Sequence, residues 1–338
     1  MDEALASSLP SGADSPPQAD FVCGPIRRIV IDTAHHLMHP AEACDIAEVC
    51  GLPVELADLS TAAPADFGAS ADKLVIYSHG IRLATAAPLH AIKKAVPDCL
   101  VVAWNFANHT AYLANALLAA AADMTFPTHV TPIDYLARWR CGPAVPLALF
   151  QWSRSTLSWL YQDYRGEPRS DRLSGHFSLY PVAKRRNQLI AESIETWPEA
   201  DLSLRRGWRY HELSPRDRFL TWRRAKTSLV LPVAGDLSMR FFDALAVGQV
   251  PIVPRDILDF DRVIAPADQA ALPVIRLEHY DVESLRAAHA AAIAAFDRGG
   301  EAGAEARHRY VLQQHMLAHR IRDILGHVTG ETAICERG

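Results

Sequence analysis

Five histidines in the first part of the chain, His35, His36, His79, His109 and His129, each follow a short apolar run of strand length. Imidazole titrates near neutrality, so a histidine held at such a position can take the proton from an attacking hydroxyl. None of the five stands at helical i, i+4 spacing from another with a supporting carboxylate, the pattern a metal site would use. A second set of residues suits anions. Ser238 and Arg240 follow a turn at Gly235-Asp236 and open a helix-compatible stretch. A hydroxyl, a fixed cation and the free N–H groups of a helix start would together serve a diphosphate. The triplet Lys184-Arg185-Arg186 opens another helical stretch just after an apolar run, where it can hold phosphate by charge and paired hydrogen bonds. Each set also has a plainer reading: histidines that cap helices or bond within loops, and a solvated basic helix start.

The elements that must carry these side chains are legible around residues 225–254. Thr227 to Pro232 and Val250 to Val253 have strand length and β-branched residues, and Met239 to Val247 between them is helix-compatible and stops at Gly248. Strand, polar loop, helix, glycine stop and strand make one βαβ unit of a parallel sheet, with the loop at the edge where such sheets bind ligands. The earlier residues alternate in the same way. Ile26 to Ile31, Val54 to Leu56, Lys73 to Tyr77, Cys99 to Trp104 and Met124 to Phe126 read as strands. Pro40 to Cys50, Leu89 to Ala95 and Ala111 to Ala122 read as helices. Further on, Arg172 to Phe177 and Asp201 to Leu204 read as strands, and a helix runs from Lys184 to about Thr196. Ser214-Pro215 caps a helix to about Ala225, Pro273 to Leu277 is a last strand, and Asp281 to Asp297 and Ala304 to Leu325 are helical. The class expected from this alternation is α/β, in doubly wound, Rossmann-like units.

The βαβ stretch resembles the donor-binding region of GT-B glycosyltransferases, above all the exostosin-like and fucosyltransferase-like branches. The match runs through Leu231, Pro232, Gly235, Ser238, Arg240, Asp243, Ala244, Leu245, Gly248, Val250, Pro251, Ile252 and Val253. It departs at Asp243, where the family usually has Glu in reach of a ribose hydroxyl. The close likeness covers residues 225–254, and beyond it the two share a layout. The resemblance implies two Rossmann-like domains facing a cleft, a nucleoside diphosphate sugar as donor substrate and no cofactor. It also implies a base histidine just after the first strand, which His35 and His36 match, with His79 a second candidate. It adds weight to Lys184, Arg185 and Arg186 as donor-phosphate contacts. Tyr210, before the Ser214 helix, becomes a candidate for stacking on the donor base, beside the reading of an ordinary core or surface tyrosine. Arg255 and Asp256 become secondary candidates beside the sugar.

With 338 residues, 49% of them hydrophobic, the chain suits two domains that each bury a core. We expect a disordered tail over 1–21, an acceptor-binding domain over 22–165, a nucleotide-sugar-binding domain over 166–300, and a closing helix over 301–338 that packs across both. A formal charge of −5 argues against a general nucleic-acid partner. Six cysteines without a C-x-x-C pair read as reduced thiols of a cytoplasmic protein, and residues 1–20 lack the order of a secretion signal. The aromatic zone of Trp139, Trp152, Trp159, Tyr161 and Tyr164 reads as packing at the domain junction, or else a sugar-stacking platform.

The expected activity is sugar transfer to an acceptor hydroxyl of a glycan, a lipid-linked molecule or a protein, with a visit to a membrane surface for a lipid-linked one. No Asp-x-Asp motif is read near a strand end, which favours a metal-independent reaction, and the resemblance favours inversion. The alternatives are a two-domain sugar-nucleotide epimerase and a non-catalytic sugar- or nucleotide-binding protein.

Overall fold

The computed structural model describes residues 25–32, 42–59, 72–78, 86–106, 110–130, 133–149, 151–204 and 213–330. His35, His36, His79, His109 and Tyr210 lie outside them. The first lobe holds β1 (Arg28–Asp32), α1 (Glu42–Cys50), β2 (Val54–Ala57), β3 (Lys73–Ser78), α2 (Ala87–Ala95), β4 (Leu100–Asn105), α3 (Tyr112–Ala121) and β5 (Met124–Pro127). Its five strands are parallel in the order β2-β1-β3-β4-β5. Every residue of β4 is buried, as expected of a central strand covered on both faces.

The second lobe holds α4 (Arg154–Asp163), β6 (Ser170–Phe177), α5 (Lys184–Thr196), β7 (Asp201–Leu204), α6 (Pro215–Arg223) and β8 (Ala225–Leu229). It continues with α7 (Met239–Ala246), β9 (Val250–Pro254), the short α8 (Phe260–Val263) and α9 (Pro266–Ala271), β10 (Ile275–Leu277) and α10 (Val282–Gln314). The sheet order is β10-β9-β8-β6-β7, again parallel. Counted from the first strand of each lobe, both sheets run 2-1-3-4-5. This doubly wound order reverses its crossovers between the first and third strands, and a crevice opens there at the carboxyl edge. The two Rossmann-like α/β units expected from the sequence are the ones observed.

The carboxyl edges of the sheets meet. His129 and Val130, just after β5, lie against Asp236 from the loop after β8 and Asp259 from the loop after β9. The Val130 N–H donates to Asp259 Oδ2 at 3.1 Å, and His129 Nε2 lies 3.9 Å from Asp236 Oδ2. The chain crosses between lobes twice, side by side: the Leu149 N–H donates to the His315 carbonyl at 2.9 Å. After that return, α11 (Leu317–Thr329) buries Leu317, Ala318, Ile321 and Ile324 in the core of the first lobe with Ile29, Ile46 and Trp104.

Three features differ from the sequence reading or refine it. Helix α4 was not anticipated; Ser153 caps it by accepting from the Thr156 N–H, and Leu157, Leu160 and Tyr161 pack with Phe219, Phe241 and Phe242 of the second lobe. Trp152, Tyr161 and Tyr164 are core residues there, whereas Trp159 is exposed. The closing helices do break at the glycine pair, where Gly300 takes φ 52° and ψ −150°, and break again at His315.

Candidate active site

Helix α7 brings the anion-binding candidates to the carboxyl edge. Its residues Phe241 to Ala246 are all buried, so its axis is fixed and its first turn is held at the mouth of the second sheet. Ser238 caps it, its Oγ accepting from the Arg240 N–H at 3.4 Å. Gly235 shapes the loop before it: φ is 78°, a left-handed conformation that glycine adopts without strain, and its carbonyl accepts from the Leu258 N–H at 3.0 Å. The next residue, Asp236, is buried and its Oδ1 accepts from the Ala234 N–H.

The crevice between β6 and β8 is where the cations gather. Arg185 and Arg186 come from the first turn of α5, and Arg240 from the first turn of α7. Arg185 lies over the Tyr280 ring, with Cζ 5.9 Å from the centroid, and Tyr280 Oη donates to Asp256 Oδ1 at 3.1 Å. Asp256, with the exposed Arg255–Glu278 pair beside it, closes the rim on the β9 side. Arg186 is buried, and burial first and the Arg240 charge second pull its pKa down to about 10. It therefore remains a cation at neutral pH. Among the described residues the guanidinium of Arg240 and the ammonium of Lys184 make no hydrogen bond or ion pair within the protein, and they remain available to an external anion. The amino terminus of α5 also carries no side-chain cap, which leaves its first N–H groups open to a ligand.

Asp243 sits differently from the expectation of a ribose contact. It is 1% exposed, and its Oδ2 accepts from Gln151 Nε2 at 2.5 Å. Burial raises its pKa to about 7, against the lowering effects of Arg240, Gln151 and Arg218. The structure thus brings together Arg185, Arg186, Gly235, Ser238 and Arg240, and turns Asp243 inward to Gln151.

Opposite this crevice stands the carboxyl edge of the first sheet. Of the five strand-end histidines, His129 is the one among the described residues, and it lies at the seam, 1% exposed. His35 and His36 follow β1 in sequence and His79 follows β3, the two strands that flank the first sheet's own switch point. Asp259-Phe260-Asp261 does have Asp-x-Asp spacing, just beyond β9. Its carboxylates have partners within the protein: Asp259 accepts from Val130 and pairs with Arg262, and Asp261 accepts from Gln269. Among the described residues no group of three or more His, Cys, Asp or Glu is placed to hold a metal ion.

No protein-family model and no curated protein matches the chain. Solved structures do resemble it distantly. The GtfA/B complex shares 13% identity at a TM-score of 0.44, over 80% of this chain and 59% of its own. Sucrose-phosphate synthase from Thermosynechococcus elongatus shares 12% at 0.44, over 76% of this chain and 73% of its own. The spinosyn rhamnosyltransferase SpnG shares 12% at 0.36, over 89% of this chain and all of its own. This chain therefore spans less than two thirds of the GtfA/B chain. At these scores the likeness is one of general architecture.

Proposed function

We propose that the protein is a glycosyltransferase of the GT-B kind, with a donor region of the exostosin-like and fucosyltransferase-like type. It moves a sugar from a nucleoside diphosphate sugar to an acceptor hydroxyl. The observation that carries this reading is the convergence of Arg185, Arg186 and Arg240 on the β6/β8 crevice, facing the first sheet's carboxyl edge. In the reaction the acceptor oxygen attacks the anomeric carbon as the bond to the diphosphate oxygen breaks. Negative charge grows on the departing diphosphate, and fixed cations and helix N–H groups in a partly enclosed cleft stabilise that charge. The hydroxyl proton passes to a histidine of the first lobe, His35 or His36 after β1 or His79 after β3. The displacement is a single inverting step without a metal. In this scheme the first lobe binds the acceptor (a glycan, a lipid-linked molecule or a protein), the second lobe, which includes α4, binds the donor, and α10 and α11 tie the two. No helix among the described residues is long and apolar enough to cross a membrane. The four described cysteines are free, and a cytoplasmic setting is part of this proposal.

A panel of nucleoside diphosphates in a thermal-shift assay tests the donor half: one of them should raise the melting temperature, and its sugar conjugate should be slowly hydrolysed. Arg240→Ala should weaken that nucleotide by about 1.5–3 kcal/mol in calorimetry, the range for a charge-assisted hydrogen bond. Unchanged affinity removes Arg240 from the site. Replacing His35, His36 and His79 singly should leave nucleotide affinity intact and abolish turnover in one variant; three active variants would place the base elsewhere.

A further inference from the structure

Arg186 stands apart from the two cations beside it. Strands β6 and β8 pair as far as Ser174 and Ser228, and beyond that point the ladder between them stops. The last residues of β6 pair with β7 instead, and the Val230 N–H donates to Ile252 of β9. The two strand ends thus part company at the switch point, and the Arg186 side chain fills the gap. Its Nε donates to the Leu231 carbonyl at 3.0 Å, and its Nη1 donates to the Ser178 carbonyl at 2.9 Å. Nη1 also donates to Asn187 Oδ1 at 3.2 Å, while Asn187 Nδ2 donates to the Tyr180 carbonyl at 2.6 Å. The guanidinium lies 5.5 Å from the Phe177 ring centre and 5.5 Å from that of Tyr180, and the residue is 6% exposed.

We propose that Arg186 is a positioning residue, which clasps the diverging ends of β6 and β8 and so sets the width of the crevice that receives the diphosphate. Contact with the phosphates then falls to Arg185, Arg240 and Lys184. The proposal rests on the donor reading above for its purpose and on the hydrogen bonds alone for its geometry. Two of the three Arg186 nitrogens are engaged by carbonyls just past the ends of two different strands, Ser178 after β6 and Leu231 after β8. A planar fork can bridge two such acceptors, whereas a single ammonium cannot span them. The loops so held are the ones that matter for an anion: 178–183 leads into the uncapped start of α5, and 232–238 leads into α7 and Arg240.

Amide hydrogen exchange and pyrophosphate calorimetry on Arg186→Lys, with Asn187→Ala as a milder variant, test this. Without any ligand, Arg186→Lys should speed exchange over 178–183 and 230–238 while the rest of the second lobe stays protected. Its affinity for inorganic pyrophosphate should fall at least about tenfold despite the retained charge. Asn187→Ala should move both readouts the same way by less. If lysine preserves the affinity and exchange is unchanged, Arg186 is a phosphate contact and the clasp is overturned. If exchange rises but affinity holds, the clasp is only structural, and the proposal also fails. A wild-type protein indifferent to pyrophosphate and to every nucleoside diphosphate would instead sink the donor reading, and with it the purpose given to the clasp.

Discussion

Asp243 shows how burial alters the meaning of a residue type. A carboxyl group at the fifth position of α7 reads as a ligand contact when only its family neighbours are considered. In the fold it is enclosed, and burial makes its charged form costly, which raises its pKa from the ordinary 3.8 to about 7. Because the folded pKa lies above the unfolded one, the native state holds its proton over a range where the unfolded chain has lost it. The stabilisation is complete below about pH 4 and is lost as pH rises through about 7. Asp243→Asn keeps an acceptor for Gln151 and removes the titration. Urea denaturation should show the variant gaining stability over wild type at pH 8, by at most roughly 4 kcal/mol, and differing little at pH 4. An equal difference at both pH values would contradict this.

At the level of elements, Gly248 joins α7 to β9 in a conformation that no other residue adopts cheaply. Its φ is 81°, and a Cβ there would lie 2.9 Å from the Ala304 Cβ, while Arg307 donates through Nε and Nη2 to its carbonyl. Gly248→Ala should therefore cost about 2 kcal/mol or more in chemical denaturation, from backbone strain and crowding together. The sequence showed this turn as a glycine stop after an apolar helix, and it showed most strands because their β-branched runs are short and bounded. It did not show α4. Arg154–Asp163 mixes Trp, Ser and Thr with few strong helix formers, and the helix is fixed by the Ser153 cap and by packing on Phe219 and Phe241. Nor did it distinguish Arg186 from its neighbours, since the difference lies in where β6 and β8 separate, a relation between residues more than fifty apart in sequence. The basic triplet was legible as a charged helix start, but the burial of Arg186 between the two strand ends was not.

For the molecule as a whole, both sheets present their carboxyl edges to one seam, so groups from each lobe reach the same space. The paired crossing at Leu149 and His315 and the return of α11 onto α1 decide how the lobes are joined. Arg320, buried at this crossing, donates to the Leu147 and Gln314 carbonyls and lies 2.7 Å from His315 Nδ1, tying both passages to one side chain. The second lobe is thereby threaded as an insert within the first. If residues 25 and 330 are drawn apart in an optical trap, the load falls first on the seat of α11 against α1, and the second lobe is shielded from tension until that helix peels away. The extension trace should then show a short first step, before the larger release of the second sheet. A variant with Ile321→Ala and Ile324→Ala should take that first step at lower force and leave the later rupture unchanged.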